Sequence, residues 1–250
     1  MKIIKKNYTQ NNNEIVLIEN QHDGDKTILI IGTVHGDEPQ GKFLIENYLD
    51  KINHPTHNNI NDFSKDLKNL PPRPLGEREE FRNEERVSEI RVRGKNRLLF
   101  IPCLNPDGLE LNTRTNANEV DINRNFPTKN WVREPFASEY FGGENSASEI
   151  ETKFVMEVIS EFSPDIILTL HAPYKVVNYD GPAEKIAKDI SAIINYPVES
   201  DIGYSTPGSF GNYAGIERNI PTITLELDEE IDVKELITPV NEIFNYLAEV

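Results

Sequence analysis

The residues with the clearest chemical potential lie in a short segment that follows an apolar run. His35 and Glu38 stand three residues apart, directly after Ile28–Ile31, and a segment with helical spacing follows them. An imidazole nitrogen and a carboxylate oxygen at this spacing on one tight turn can reach the same Zn²⁺. Gly32 and Gly36 are expected to let the backbone turn sharply there. The pattern predicts a metal site at the carboxyl end of a buried strand, where open α/β sheets bind their ligands.

Two more ionisable residues accompany apolar runs in the second half of the chain. His171 directly follows Asp165–Leu170, so a second histidine stands at the end of a probable strand. With the first pair it completes a set of two histidines and one glutamate, which holds catalytic zinc and leaves a fourth position for water. Glu226 lies inside the apolar run 220–227, where a carboxylate is costly unless it is paired or functional. We predict that it is the general base.

Positive charge near such a site is expected from two arginines in a polar, turn-rich stretch. Arg114 and Arg124 lie within 111–127, among short amide side chains. A planar guanidinium can bind a carboxylate at two points or stabilise a developing oxyanion, although a solvated loop is the alternative interpretation. A His-x-x-His pair, His54 and His57, is better interpreted as part of a solvated loop.

The composition excludes several broad classes of function. The chain has 250 residues and a formal net charge of -16, which argues against a nucleic-acid or anionic membrane surface. The single cysteine, Cys103, allows no intrachain disulfide, and its apolar surroundings predict a core residue. No apolar stretch has the length of a signal peptide or of a membrane span, so a cytoplasmic location is expected. The oligomeric state is left open.

Strand-like and helix-like segments alternate along the chain, which predicts one α/β layered domain over residues 1–250. A polar insert at about 51–95 interrupts it, with a short helix near 63–70 and a strand near 87–92. The predicted strands are 14–19, 26–31, 97–103, 165–170 and 220–227. The predicted helices are 41–49, 149–161, 183–196 and 231–250.

Taken together, five short motifs resemble the zinc carboxypeptidase (M14) family, and they occur in the family's order. They are His35–Glu38 (HGDE), Asn105–Gly108 (NPDG), Asp121–Asn125 (DINRN), Leu170–His171 (LH) and Thr224–Leu227 (TLEL). The resemblance covers most of the chain outside the insert. It implies a mixed, mostly parallel β-sheet flanked by helices on both faces, a three-layer sandwich, with one Zn²⁺ per chain.

The resemblance also implies a role for each matching residue. His35, Glu38 and His171 match the zinc ligands, and Glu226 matches the catalytic glutamate. Arg114 matches the arginine that polarises the scissile carbonyl, and Asn123 and Arg124 match the pair that binds the substrate's terminal carboxylate. Tyr204 matches the tyrosine that caps the substrate, and Asp121 matches the carboxylate that orients the first zinc histidine.

A small peptide with a free carboxylate is the substrate class that the resemblance implies. The Thr206–Ser209 loop is similar to the branch of the family that cleaves the γ-D-glutamyl–diaminopimelate bond of murein peptides during cell-wall recycling. Gly211 is expected at the floor of the pocket, where a small residue leaves room for a polar side chain. The alternatives are a general carboxypeptidase acting on L-peptides, an N-acyl amino acid deacylase of the aspartoacylase or desuccinylase type, and a non-catalytic binding protein on a peptidase fold.

Overall fold

The computed structural model describes residues 1–20, 23–54, 94–133, 138–201 and 203–250. The strands are β1 (Lys2–Tyr8), β2 (Glu14–Glu19), β3 (Thr27–Ile31), β4 (Arg97–Ile101), β5 (Ile166–His171), β6 (Val176–Asp180), β7 (Val198–Glu199) and β8 (Thr222–Glu226). The α-helices are α1 (Gln40–Asn53), α2 (Pro106–Leu111), α3 (Ile150–Phe162), α4 (Glu184–Ile194) and α5 (Ile237–Glu249). Short 3₁₀ turns at Ile122–Arg124, Ser138–Tyr140 and Val233–Leu236 and a π-turn at Asn212–Ile216 complete the described elements.

The eight strands form one sheet in the order β1-β2-β4-β3-β5-β8-β6-β7. The four central strands, β4, β3, β5 and β8, are mutually parallel. Antiparallel pairs join β1 to β2, β2 to β4 and β6 to β8. Because parallel neighbours end on the same side, the carboxyl ends of β3, β5 and β8 meet at one edge of the sheet.

Helices cover both faces of the sheet, which explains why the central strands are apolar on both sides. In β3, Ile28 and Ile30 pack with α1, α4 and α5, whereas Leu29 and Ile31 pack with α3 on the opposite face. Both clusters are closed to solvent, with Phe100 in the first and Phe154 in the second. The predicted fold class, a mixed and mostly parallel sheet flanked by helices on both faces, is confirmed.

The structure corrects several element predictions. The strands β1, β6 and β7 and the helix α2 were not expected from the sequence. Helix α2 begins where Asn105 caps the helix by accepting a hydrogen bond from the backbone N–H of Gly108 at 2.9 Å, with Pro106 in the first turn. The predicted strand 220–227 corresponds to β8, which is shorter and carries Glu226 as its last residue.

Part of the predicted insert falls outside the described residues. Helix α1 continues to Asn53, and the predicted helix near 63–70 and the predicted strand near 87–92 are not among the described residues. The same holds for His57, whereas His54 is exposed at the end of α1. The single-domain organisation and the extent of the insert stay predictions. None of the helices in the described ranges is long and apolar enough to cross a membrane.

Candidate metal centre

The candidate site residues lie at the carboxyl ends of three neighbouring strands, β3, β5 and β8, at one edge of the sheet. His35 and Glu38 lie in the turn after β3, His171 is the last residue of β5, and Glu226 is the last residue of β8. In the β5–β8 ladder, His171 pairs directly with Glu226. Strand order, and not proximity along the chain, therefore brings together residues separated by more than a hundred positions.

Local packing explains the turn that carries the first two residues. Thr33 has a left-handed φ of 45°, and its hydroxyl donates to the carbonyl oxygen of Glu38 at 3.2 Å. Neither Gly32 nor Gly36 has a left-handed φ, so the turn that was expected at these glycines does not depend on that conformation. Close backbone contacts leave no room for a larger residue at either position: a Cβ at Gly36 would lie 1.9 Å from the carbonyl carbon of Gly108.

The three predicted metal ligands converge on one small space. The Nδ1 atoms of His35 and His171 are 3.3 Å apart, and each lies close to a Glu38 carboxylate oxygen, at 2.8 Å and 3.0 Å respectively. Two ligands at about 2.0 Å from a tetrahedral zinc lie roughly 3.3 Å from each other. All three residues are buried. The donor set and its spacing fit one Zn²⁺, and within the described part of the chain no other His, Cys, Asp or Glu cluster does.

Asp121 supports His35 from behind. Its Oδ1 lies 3.2 Å from His35 Nε2, the ring nitrogen opposite the metal-facing one. The same carboxylate accepts hydrogen bonds from Arg114 Nε at 3.0 Å and from the backbone N–H of Asn123 at 2.8 Å. Asp121 is completely buried. These contacts leave little freedom for the imidazole, a support commonly seen for histidines that bind metals.

The charges in this cluster shift each other's pKa values. Burial alone would lower the pKa of His35, but the carboxylates of Glu38 and Asp121 raise it to about 9. Burial opposes ionisation of Asp121, yet His35 and Arg114 hold the pKa of its carboxyl well below the usual range. Glu38 is likewise held ionised by His35 and His171 against the cost of its burial. Because a ligating imidazole must be neutral, a metal ion bound here would require His35 in its uncharged form.

Glu226 lies in the same cleft but outside the group of three candidate metal ligands. Its side chain is 9% exposed, and its Oε2 atom is buried without a hydrogen-bond partner among the described residues. Burial raises the pKa of this carboxyl, with His171 acting in the opposite direction. A desolvated carboxylate with one oxygen free of protein donors is suited to proton transfer.

Two arginines line the same cleft and share one aromatic neighbour. The Cζ atoms of Arg114 and Arg124 lie 5.1 Å and 5.4 Å from the centre of the Tyr140 ring. Arg124 is 4% exposed and donates from Nη1 to the carbonyl oxygen of Asn123 at 2.7 Å. Cationic side chains against an aromatic face lose little mobility when they bind an anion. Tyr140 was not predicted from the sequence.

The predicted site residues occupy one cleft of about 220 Å³. Eight of the nine line it directly, and Asp121 lies behind them. The eight are His35, Glu38, Arg114, Asn123, Arg124, His171, Tyr204 and Glu226. Gly211 also lines the cleft, as expected, and Tyr204 is 40% exposed. The cleft includes residues that sequence reasoning missed, namely Tyr140, Asn178, Asp180, Ser209 and Thr224.

Comparisons with known proteins agree with this geometry. Residues 79–198 match the family described as zinc carboxypeptidase, a range that contains His171 but not His35, Glu38 or Glu226. Murein peptide amidase A of Vibrio campbellii is 35% identical over 139 residues, which are 51% of this chain and 55% of that protein. The Escherichia coli K12 protein of the same name is 33% identical over 135 residues, which are 50% and 55% of the two chains. The chain thus spans about half the length of the curated relatives it matches.

A solved structure extends the likeness in fold to nearly the whole chain. The crystal structure of murein-tripeptide amidase MpaA from Escherichia coli O157 matches with a TM-score of 0.70 at 21% identity, covering 97% of this chain and 90% of that one. The fold is an α/β sandwich that carries the candidate metal cluster at one edge of its sheet. The match of residues 79–198 to the zinc carboxypeptidase family and the similarity to murein peptide amidase A confirm the resemblance that the five motifs predicted.

Proposed function

We propose that this protein is a zinc-dependent amidase that cleaves the amide bond before a residue with a free carboxylate, and that its substrate is the γ-D-glutamyl–diaminopimelate bond of murein peptides. The observation that carries the proposal is the convergence of a two-histidine, one-glutamate cluster with an unpartnered buried carboxylate and two arginines in one cleft. The names of the relatives at 33–35% identity support the substrate.

His35, Glu38 and His171 would hold the metal. When bound there, Zn²⁺ acts as a Lewis acid that polarises a carbonyl oxygen and lowers the pKa of a coordinated water toward about 7. Glu226 takes a proton from the attacking water at its Oε2 atom and later passes it to the nitrogen of the leaving amine. The oxygen of that water ends in the new carboxyl group, and the carbon–nitrogen bond of the amide breaks.

The cationic side chains bind and orient the substrate. Arg124, with Asn123 beside it, binds the terminal carboxylate of the residue that is released. Asn123 is suited to this because its Oδ1 already accepts from the backbone N–H of Phe210 at 2.8 Å, which leaves the amide nitrogen as a donor. Arg114 stabilises the oxyanion that develops on the scissile carbonyl. Tyr204, half-exposed at the cleft, covers the bound peptide.

The test is mass spectrometry of zinc-loaded protein incubated with three substrates in parallel. These are L-Ala-γ-D-Glu-diaminopimelate, ordinary L-peptides with a free carboxyl terminus, and N-acyl amino acids. Release of diaminopimelate that a chelator blocks and that the Glu226→Gln variant lacks is the expected result. Cleavage of L-peptides alone would make the protein a general carboxypeptidase, and cleavage of acyl amino acids alone would make it a deacylase.

Absence of any cleavage by protein with one zinc per chain would contradict the enzyme proposal and favour a binding role. The cytoplasmic location, the role in peptidoglycan recycling and the lack of nucleic-acid partners stay predictions from the sequence.

A further inference from the structure

The loop that joins β5 to β6 reaches the carboxylate of Glu226. It comprises residues 172–175, between the last residue of β5 and the first residue of β6, and its first three residues line the cleft. The backbone N–H of Tyr174 donates a hydrogen bond to the Glu226 carboxylate. Because Oε2 of that carboxylate has no partner among the described residues, the hydrogen bond falls on the other oxygen. The loop therefore holds one oxygen of the proposed base and leaves the second one available.

One residue of this loop has an unfavourable backbone conformation. Lys175 has a left-handed φ of 55°, which brings the Cβ of an L-residue close to its own backbone. Such conformations persist only where the surrounding structure holds them. The neighbouring side chain of Tyr174 does not supply this restraint through burial, since Tyr174 is 59% exposed. The loop must therefore be restrained by a contact with another element.

An ion pair supplies that contact. Lys175 Nζ lies 2.6 Å from Asp228 Oδ2, and the side chain of Asp228 is only 7% exposed. Asp228 follows Glu226 by two residues and is fixed by contacts of its own. Its Oδ1 accepts a hydrogen bond from the backbone N–H of Glu230 at 2.9 Å, and its own N–H donates to the hydroxyl of Tyr196 at 3.2 Å. Asp228 is thus a fixed anchor to which the lysine ties the loop.

These contacts form a closed ring around the proposed base. The chain runs from Glu226 to Asp228, and the ion pair crosses from there to Lys175. The chain then returns to Tyr174, whose N–H meets the Glu226 carboxylate. An ion pair with an exposed lysine adds little to the free energy of unfolding. Its main consequence is therefore the position of the loop, and through the loop the position of the carboxylate.

We infer that the Lys175–Asp228 ion pair is a positioning element for the proposed base, because it holds loop 172–175 where the N–H of Tyr174 fixes one oxygen of Glu226 and keeps Oε2 available to the attacking water. The inference rests on the proposed function, since it concerns the group that takes the proton. Neither Lys175 nor Asp228 lines the cleft, so both act through Tyr174 and Glu226 and not on the substrate.

The experiment measures steady-state hydrolysis of L-Ala-γ-D-Glu-diaminopimelate by zinc-loaded protein. Lys175→Met removes the charge and keeps an apolar stem. It is expected to lower kcat about 10-fold with KM within about twofold, because the base is misplaced while the groups that bind the substrate's carboxylate are unchanged. Lys175→Arg keeps the charge and should retain most of the wild-type kcat. Lys185→Met is the matched control, since Lys185 pairs with Asp189 at 2.9 Å on α4, outside the cleft.

Two further measurements show whether the pair acts as a unit. Asp228→Asn should lower kcat by a similar factor, and the double variant Lys175→Met/Asp228→Asn should lose no more than either single variant, since no pair is left to break. Hydrogen exchange followed by NMR reports on the loop without any turnover. The Tyr174 amide should exchange about 10-fold faster in Lys175→Met than in the wild type, and at the wild-type rate in the control variant.

The outcomes separate this inference from the amidase proposal. Wild-type kcat in Lys175→Met, an equal loss in Lys175→Arg, or losses that multiply in the double variant would overturn the positioning role and leave the amidase proposal standing. No cleavage by any of the zinc-loaded proteins, with Tyr174 exchange that still depends on Lys175, would overturn the amidase proposal and leave the ion pair as the restraint of the loop. A Tyr174 amide that exchanges at one rate in all variants would overturn the restraint itself.

Discussion

Replacing Asp121 with asparagine tests whether the buried carboxylate behind His35 tunes the metal site. The substitution keeps the size of the side chain but removes the negative charge and turns one acceptor oxygen into a donor. Asp121 Oδ1 serves His35 and Asn123, whereas Oδ2 serves Arg114 at 3.0 Å. The favoured orientation of the new amide keeps its oxygen at the position of Oδ1. Its NH₂ group then faces Arg114 Nε, and because both groups are donors, the hydrogen bond between residues 121 and 114 is lost.

The expected loss follows from these contacts. Replacing the Asp121 carboxylate that contacts His35 with a neutral amide makes the imidazole a weaker metal ligand. Such changes typically lower metal affinity 10- to 100-fold, or by roughly 1.4–2.7 kcal/mol. Arg114, no longer held by Asp121, retains Glu38 as a nearby carboxylate, with 3.8 Å between Nη1 and Oε1, and the ring of Tyr140. Catalytic efficiency should therefore fall further than zinc occupancy alone explains.

The assay is competition for zinc between the protein and a chromophoric chelator, with circular dichroism to show that the variant is folded. Asp25→Asn is the control, because it removes a carboxylate without touching the site. A zinc dissociation constant for a folded Asp121→Asn protein within twofold of the wild type would refute the assigned support of His35.

Three further outcomes are expected. Glu226→Gln should bind zinc at the wild-type stoichiometry but show no measurable hydrolysis, which metal analysis and mass spectrometry on one sample can check; retained turnover would mean that another group is the base. Tyr140→Leu should raise KM several-fold and also lower kcat, since Arg124 and Arg114 lose the ring they pack against, while Tyr140→Phe, which keeps the ring, should lose less in steady-state kinetics. Burial raises the pKa of Glu151 from 4.5 to about 7, so the folded state keeps a proton that the unfolded state releases near pH 4.5. The free energy of unfolding that this group contributes therefore falls as the pH rises from about 5 through 7. Glu151→Gln should flatten that fall in urea unfolding between pH 5 and 8, and an unchanged slope would contradict the buried, protonated state.

The residues proposed to act in catalysis could be predicted because each lies in a distinctive local sequence pattern. His35 and Glu38 follow an apolar strand, and Glu226 stood out as a carboxylate within an apolar run. The strand order that brings them together is not encoded in any local pattern, since β3, β5 and β8 are far apart along the chain. Resemblance to a family supplied that missing step.

The inner part of the cleft was less predictable for a physical reason. Strand β6 carries both apolar and polar residues, and its stability comes from pairing with β8 and β7 rather than from its own pattern. Nothing in the sequence pattern therefore singled out Asp180, which lies before Gly181. Its proximity to Gly211 is a contact between distant segments, which only the folded chain reveals. The exposed edge strand β1 was missed for a related reason, because its lysines mask the alternation.

The most direct test of the account is an anomalous difference map recorded at the zinc absorption edge from crystals of the zinc-loaded protein. The account predicts one strong peak per chain, about 2.0–2.2 Å from His35 Nδ1, His171 Nδ1 and a Glu38 carboxylate oxygen, with Glu226 facing the open side of the ion. A peak elsewhere, or no peak in protein that contains zinc by elemental analysis, would contradict the assignment of this sheet edge as the metal centre.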